Sequence, residues 1–153
     1  MANDDIPLVY LAAFCERVLQ EQDGTISLIR IIDRVTATLP DGVLPENIDS
    51  LKVSVNAMLG FKSGPVTGTR EVGLRIRNPR GEIQETKSPV PMNFLGGHHG
   101  INLIFALGFE ARLPGVHWID VILDDHVVTA MPLEVVHQVG PLALAPAPTD
   151  QTL

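Results

Sequence analysis

The alternation of apolar and polar side chains along residues 51–61 is the feature that most restricts how this chain can fold. Every odd-numbered residue of that stretch is apolar, and Lys52, Ser54 and Asn56 lie between them. Successive side chains of a strand point to opposite faces of a sheet, so a period of two predicts a half-buried strand. The stretch therefore predicts a sheet with one covered face.

Similar patterns recur downstream. Residues 71–77 alternate, Asn78-Pro79-Arg80-Gly81 has the composition of a type I turn, and residues 82–87 follow as a short return strand. The Gly- and Pro-rich stretch 63–69 predicts a hairpin loop between two strands. Residues 101–109 have apolar side chains at both parities, which is typical of a central strand.

The first 39 residues are also rich in strand-forming residues. Residues 7–15 predict the first strand, and residues 16–22 predict at most a helical turn. The run 24–39 changes its apolar parity near Leu28 and Ile29. A bulge at that point, or a strand covered on both faces, would explain the change.

The last two predicted strands, residues 116–123 and 127–137, form the clearest hairpin. Their apolar faces match when the numbers of paired residues sum to an even value, because a slip of one residue turns a face outward. A three-residue loop, 124–126, satisfies that condition. It predicts that His117 lies opposite Leu133, and that His137 lies too far from His117 to share an ion with it.

These elements predict an all-β fold, namely an antiparallel Greek-key β-sandwich of about eight strands with at most one short helix. The predicted domain covers residues 1–139. Residues 140–153 are rich in Pro and Ala and are expected to form a flexible tail.

The composition excludes several classes of partner. The chain has 18 acidic and 11 basic residues and a net charge of −7, which repels the phosphate backbone of nucleic acids. Its longest apolar run, 7–15, is shorter than the roughly 20 residues that cross a bilayer. The sole cysteine, Cys15, cannot form an internal disulfide and fits a reducing compartment. We therefore expect a cytoplasmic protein without nucleic-acid or membrane partners.

Three stretches together resemble a known family: FCERVLQEQDGTISLIRIIDRV (14–35), REVGLRIRNPRGE (70–82) and LPGVHWIDVILDDHVVTAMPLEV (113–135). Their marks are an Ile-rich strand that ends in Asp-Arg, an Asn-Pro-x-Gly turn, and Pro-Gly before the final hairpin. The chain resembles small bacterial proteins of unknown function with a predicted immunoglobulin-like or C2-like β-sandwich. Each mark is a turn or a core face, so the resemblance implies a fold and assigns no catalytic residue.

The segment GGHHG, residues 96–100, is the first candidate site. Consecutive histidines of a strand point to opposite faces, but the flanking glycines permit backbone angles at which His98 and His99 could converge on a metal ion. Asp124 or Asp125 could add a carboxylate. The alternative interpretation, which we favour, is a glycine-rich bend that leads into the strand at Ile101.

The second candidate is a surface. Trp118 has the outward parity of its strand, and Arg75 and Arg77 form a basic strip on another strand. An outward Trp is either a partner contact or lies under a second layer of the same domain. The arginines either form a solvated face or bind an acidic partner.

The sequence lacks the G-x-S-x-G and H-E-x-x-H patterns of common hydrolases. It therefore favours a non-enzymatic protein without a cofactor, which acts through a protein partner or as a homo-oligomer. The alternative function is a metal-dependent enzyme or metal sensor that uses His98, His99 and a nearby carboxylate. A third hypothesis, a small ligand between the sheets, requires a cavity.

Overall fold

A computed structural model describes residues 6–139, and these residues form an all-β fold. Within residues 6–139 the all-β prediction is confirmed, and the helix content is a single 3-10 turn at Pro45–Asn47, which agrees with the predicted limit of one short helix. Among residues 6–139, no helix is long and apolar enough to cross a membrane. The predicted tail at 140–153 lies outside the described residues. The eight strands are β1 (Leu8–Gln20), β2 (Ile26–Ile32), β3 (Arg34–Leu39), β4 (Lys52–Arg77), β5 (Ile83–Thr86), β6 (Val90–Glu110), β7 (Gly115–Leu123) and β8 (His126–Val139).

All eight strands belong to one hydrogen-bonded sheet. Its order is β2-β1-β4-β7-β8-β3, and β5 and β6 also pair with β4. Every pairing is antiparallel except that of β3 with β8, which is parallel from Arg34 opposite Glu134 to Leu39 opposite Val139. The prediction of a wholly antiparallel sheet is therefore wrong. Side chains alternate in parallel and antiparallel strands alike, so the pattern indicated a buried face and not a strand direction.

Strands β4 and β6 are unusually long, at 26 and 21 residues. They pair along most of their length, and the register shifts where Lys62 lies opposite Gly100, Gly64 opposite Gly97 and Thr67 opposite Leu95. The predicted hairpin loop at 63–69 is thus wrong, because both strands continue through the irregular region. Glycine serves in a bulge as readily as in a loop, and the sequence does not separate the two uses.

Two expectations near the N-terminus also change. The predicted helical turn at 16–22 is wrong, because β1 continues to Gln20 and pairs there with Ile26 of β2. The parity change near Leu28 and Ile29 lies within β2, which keeps one register with β1 from Ile26 to Ile32. Asp33 then separates β2 from β3. Those two strands pair with different partners, so the apolar faces of the two strands need not share one parity.

The β7–β8 hairpin has the predicted register at His117, but a two-residue turn and a bulge produce it in place of the predicted three-residue loop. Leu123 pairs with His126, so the turn has two residues, and φ is 44° at Asp124 and 72° at Asp125. Two positive φ angles are typical of a type I′ turn. A bulge beside Val121 then restores the pairing. His117 lies opposite Leu133 as predicted, whereas the three-residue loop is wrong.

One hydrophobic cluster forms the core, and residues from both ends of β4 contribute to it. The buried side chains are mostly Val, Ile and Leu, together with four phenylalanines. Phe61 and Phe94 meet edge to face with their ring centroids 5.8 Å apart, close to the region in which β4 and β6 change register. The long strands therefore pass along the core rather than beyond it.

Candidate arginine–tryptophan face

The strand pair β4–β7 brings the predicted interface residues together. Trp118 is the cross-strand neighbour of Arg77, and Asp120 is the neighbour of Arg75. Directly opposed residues share one face of a sheet, with their Cβ atoms roughly 4.5–5.5 Å apart. Next to them, Ile83 of β5 lies opposite Arg77 on its other side. Trp118, Arg75 and Arg77 thus lie on one continuous surface, directed away from the core residues Ile76 and Ile119.

Asp120 is the centre of this surface. Its Oδ2 accepts hydrogen bonds from Arg75 Nε at 3.0 Å, Arg75 Nη2 at 2.8 Å and Arg77 Nε at 2.9 Å, and its Oδ1 accepts one from Arg77 Nη2 at 2.8 Å. The Asp120 side chain is 2% exposed, whereas those of Arg75 and Arg77 are 31% and 32% exposed. One carboxylate therefore holds two guanidinium groups at the protein surface.

The carboxylate of Asp120 is ionised in this environment. Burial alone would raise the pKa of Asp120, but the hydrogen bonds from Arg77 and Arg75 outweigh burial and hold the pKa below its usual value. Two positive charges and one negative charge leave this cluster with an excess of one positive charge.

Apolar side chains flank the charged cluster. Trp118 is 38% exposed, and the Arg77 guanidinium carbon lies 6.0 Å from its ring centroid, at the outer limit of a cation–π contact. Ile83, across Arg77 from Trp118, and Val116, two residues before Trp118 on β7, are also exposed. We call the surface formed by Arg75, Arg77, Trp118, Ile83 and Val116 the arginine–tryptophan face.

The two predicted metal-binding histidines lie side by side on the surface. The His98 and His99 rings stack with centroids 4.8 Å apart and planes inclined at 20°. Gly96 and Gly97 before them have φ of 82° and 61°, which fits the predicted glycine-rich bend. The segment is nevertheless part of β6.

The predicted carboxylate ligands lie elsewhere. The Asp124 carboxylate accepts hydrogen bonds from Arg70 Nη1 and from the Glu71 backbone N–H, each at 3.0 Å. The Glu71 N–H contributes most to lowering the pKa of Asp124. Asp125 shares the β7–β8 turn. Glu71 is seven residues along β4 from Gly64, which pairs beside the histidines, and seven residues of strand span about 20 Å.

Within residues 6–139, no three His, Cys, Asp or Glu side chains are grouped so as to hold a metal ion. The structure therefore does not place three of His98, His99, Asp124 and Asp125 around one point. The metal site stays a prediction.

His117 is a second buried polar group on β7, and the sequence pattern did not mark it as a candidate site. His117 is 0% exposed, and its ring packs 5.1 Å from that of Phe109. Neither ring nitrogen has a hydrogen-bond partner in the described part of the chain. Burial lowers the pKa of His117, a nearby Gly115 backbone group opposes the shift, and His137 adds to it. The inward parity of His117 predicted its burial, but no sequence signal indicated that it lacked partners.

Comparisons with known proteins assign neither a family nor a function to this chain. No family model matches the chain, and no curated protein matches it. The solved structures with a similar fold include the alkylpurine DNA glycosylase AlkC of Pseudomonas fluorescens bound to DNA containing an abasic site analog, with a TM-score of 0.40 and 12% identity over 65% of this chain and 28% of that one. A mutant β-glucosidase of Listeria innocua in complex with laminaribiose has a TM-score of 0.45 and 12% identity over 88% of this chain and 17% of that one.

A third structure is an immunoglobulin-like protein from Pseudomonas aeruginosa. Its TM-score is 0.39 and its identity is 14%, over 88% of this chain and 99% of that chain. This chain spans less than a third of the glycosylase and of the β-glucosidase. The all-β chain therefore has an immunoglobulin-like structural neighbour, and similarities of this size assign no activity to it.

Proposed function

We propose that this protein is a non-enzymatic protein-interaction module whose arginine–tryptophan face binds an acidic segment of a partner protein. The observation that carries the proposal is the fixation of Arg75 and Arg77 by one buried carboxylate. A guanidinium has five N–H donors, and each of these arginines uses two of its donor nitrogens on Asp120. Donors therefore remain for a partner.

Fixation matters because binding otherwise costs conformational entropy. A free arginine side chain loses about 0.5–1.5 kcal/mol of freedom when a partner immobilises it. Asp120 has already imposed that order on Arg75 and Arg77 in the unbound protein. The excess positive charge selects an acidic segment, and Trp118 offers it an apolar contact. Trp and Arg are the residue types most enriched where interfaces gain their affinity.

An external partner is favoured over a second copy of this chain. Each copy has a net charge of −7, so two copies repel each other over a distance of about a Debye length. A short partner segment that supplies two or more carboxylates next to an apolar residue would complement the arginine–tryptophan face, and because it has fewer negative charges than a second copy, the chain repels it less.

Tryptophan fluorescence can test the proposal, because Trp118 is the only tryptophan in the sequence. The probe is a short peptide of alternating Glu and Leu, and its matched control has Gln in place of Glu. We expect a saturable change in the Trp118 emission that is about tenfold weaker in affinity for the Gln peptide. Equal binding of both peptides, or no saturation with either, would contradict the proposal.

Variants locate the binding. The double variant Arg77→Gln with Asp120→Asn removes one charge of each sign and avoids an unpaired buried carboxylate, and it should weaken binding of the Glu peptide about tenfold. Arg17→Gln, an exposed arginine of β1, is the matched control and should bind normally. If light scattering instead detects a dimer that Arg77→Gln with Asp120→Asn dissociates, a second copy is the partner and the proposal of an acidic external segment fails.

We also infer that the sheet closes on itself in two layers, as the predicted sandwich requires. In support, β1 and β8 approach each other although they are not neighbours in the sheet, and one core cluster includes residues of both. Nuclear Overhauser contacts between Phe14 of β1 and methyl groups of β8 would support the layered arrangement. Their absence in a fully assigned spectrum would overturn it.

A further inference from the structure

A second surface feature is a cleft of about 610 Å³. It lies between the 3-10 turn at Pro45–Asn47, the turn at 78–81 and the segment 112–114, and it shares no residue with the arginine–tryptophan face. Its size falls within the range of roughly 300–1,000 Å³ that is usual for small-molecule sites. Such sites combine apolar walls with a few convergent polar groups, and both are present here.

The backbone around the cleft is built for close approach. Gly115 has a φ of 123°, and a Cβ atom there would lie 3.1 Å from Pro79 Cβ. Glycine thus allows the start of β7 to pack against the 78–81 turn. Asn78 Oδ1 fixes that turn by accepting hydrogen bonds from the N–H groups of Arg80 at 2.9 Å and Glu82 at 3.0 Å. This packing brings residues 112–114 and Arg80 to one cleft.

Two guanidinium groups, those of Arg80 and Arg112, line the cleft without forming a salt bridge in the described part of the chain. Across residues 6–139, neither Arg80 nor Arg112 has a carboxylate oxygen within 4.0 Å. Glu110 is near, but its oxygens accept hydrogen bonds from Ser50 Oγ at 2.7 Å and from the Leu51 N–H at 3.0 Å. Glu110 keeps its negative charge: burial alone would raise its pKa, but these hydrogen bonds and the coulombic interaction with Arg112 are among the causes that lower it. Glu110 therefore offsets part of the charge of Arg112, whereas Arg80 is not among the groups that lower the pKa of Glu110.

The other walls add one acceptor, one opposing charge and an apolar surface. Gln84 Nε2 donates to the Glu110 backbone oxygen at 2.9 Å, which leaves its side-chain oxygen as an acceptor. Glu46 lines the rim, and Pro45, Leu113 and Pro114 provide apolar contact.

We propose that this cleft binds a small organic anion, a carboxylate or phosphate monoester that carries a short apolar group. Arg80 and Arg112 contact the anionic end, and Leu113 and Pro114 contact the apolar end. Charge-assisted hydrogen bonds from guanidinium to carboxylate or phosphate are about twice as strong as neutral ones, and two of them fix the orientation of the anion. The proposal is independent of the arginine–tryptophan face.

Phenyl phosphate is the probe, added to ¹⁵N-labelled protein in a buffer without phosphate. We expect saturable shifts of the Arg80 and Arg112 Nε–H signals. Arg80→Gln with Arg112→Gln should weaken binding about tenfold or more, whereas the exposed Arg17→Gln control should not change it. Benzyl alcohol, which has the ring without the charge, should bind at least about tenfold more weakly.

Glu46→Gln gives a second test, because its effect on affinity distinguishes an anion site from a cleft that binds ligands only through apolar contacts. Removal of the like charge should tighten phenyl phosphate binding by about two- to threefold. Weaker phenyl phosphate binding in Glu46→Gln would mean that the Glu46 carboxylate contributes to binding and does not repel the anion, which would overturn the proposal. Equal affinities for phenyl phosphate and benzyl alcohol, an unaffected double arginine variant, or no saturable shift would overturn it as well.

Discussion

Strand β7 contains two buried polar side chains three residues apart, and only one of them has hydrogen-bond partners in the described part of the chain. Asp120, on the outward face, is charged and accepts four hydrogen bonds from two arginines. His117, on the core face, is fully buried, and its ring nitrogens have no partner in residues 6–139. The strand thus contains one buried polar group that is fully satisfied and another that is held neutral at a cost.

The difference shows what each face of the strand can supply. The outward face has long neighbouring side chains, Arg75 and Arg77, whose guanidinium groups can fold back over a carboxylate. The core face has apolar neighbours such as Phe109 and Leu133, which offer no donor or acceptor. A buried polar group without a partner costs about 1–3 kcal/mol. The predictions below test whether these two residues differ as the contacts indicate.

Replacement of Asp120 should have the largest effect. Asp120→Ala leaves two guanidinium groups without their counter-ion, and we expect a loss of about 3 kcal/mol in the free energy of unfolding. This loss is at the lower end of the range for breaking a buried ion pair, because both arginines are about a third exposed and water can solvate them in the variant. Urea unfolding followed by circular dichroism measures it.

A matched pair of variants sharpens that test. Asp120→Asn keeps the shape and loses the charge, so it should cost clearly less than Asp120→Ala. Asp41→Asn changes an exposed carboxylate and should stay within about 0.5 kcal/mol of the parent. If Asp120→Ala is no more destabilising than Asp41→Asn, the four hydrogen bonds do not stabilise the fold.

Replacement of His117 should act in the opposite direction. His117→Leu removes two unpartnered nitrogens from an apolar site and keeps a similar volume, so we expect a gain of about 1 kcal/mol. Thermal unfolding of the variant and the parent measures it. His98→Leu, at an exposed histidine, is the control and should not stabilise the protein. A destabilised His117→Leu variant would mean that the ring nitrogens have partners after all.

The pH dependence of stability should separate the two residues. Burial holds the pKa of His117 below its ordinary value of 6.5, so below that pH the unfolded chain binds a proton that the folded protein does not. Stability should therefore be complete above about pH 6.5 and fall on acidification, by at most about 1.4 kcal/mol per pH unit. The coulombic effect of His137 adds to the lowering of the His117 pKa.

The carboxylates titrate in a lower window. Asp120 and Glu110 have pKa values lowered from 3.8 and 4.5, so their contribution to stability is lost only when the pH falls below those values. Urea unfolding at about pH 7.5 and about pH 5.5 should thus differ in the parent protein and hardly differ in His117→Leu. An equal loss in both proteins would assign the titration to another group.

The period of two predicted the β-rich core, because burial of one face of a sheet produces the same alternation of apolar and polar residues in every strand. The direction of a strand relative to its neighbour does not affect this alternation and could not be predicted from it. The parallel pair of β3 and β8 depends on where the chain returns after β3, and no residue of β3 specifies that return. The continuous path of β4 through 63–69 was missed because Gly64 and Gly68 have the composition of a loop, and their strand pairing depends on β6.

The candidate sites show the same limit. Trp118, Arg75 and Arg77 were predicted to be outward-facing from parity alone, and the structure places them on one face because β4 and β7 are neighbours in the sheet. The sequence did not indicate that Asp120 joins the two arginines, since that requires the register. It likewise grouped His98 with Asp124 by composition, whereas the pairing of β4 separates them.

The smallest effect should come from Arg77→Lys, which keeps the charge and changes the geometry. A lysine has a single ammonium nitrogen, so it cannot reproduce the planar fork in which Arg77 donates through Nη2 to Oδ1 and through Nε to Oδ2 of Asp120. We expect a loss of about 0.5–1 kcal/mol in the free energy of unfolding. Urea unfolding at neutral pH measures it.

Arg34→Lys is the matched control, because Arg34 and Glu134 form an ion pair in which both side chains are well exposed. An exposed pair of this kind contributes about 0–1 kcal/mol, and a lysine retains most of it. If the two substitutions cost the same, the planar fork of Arg77 has no special role beside Asp120. A larger cost for Arg77→Lys would show that the stability of the outward face of β7 depends on hydrogen-bond geometry as well as on charge. His117 on the other face has no hydrogen-bond partner among residues 6–139, so its contribution has no such dependence.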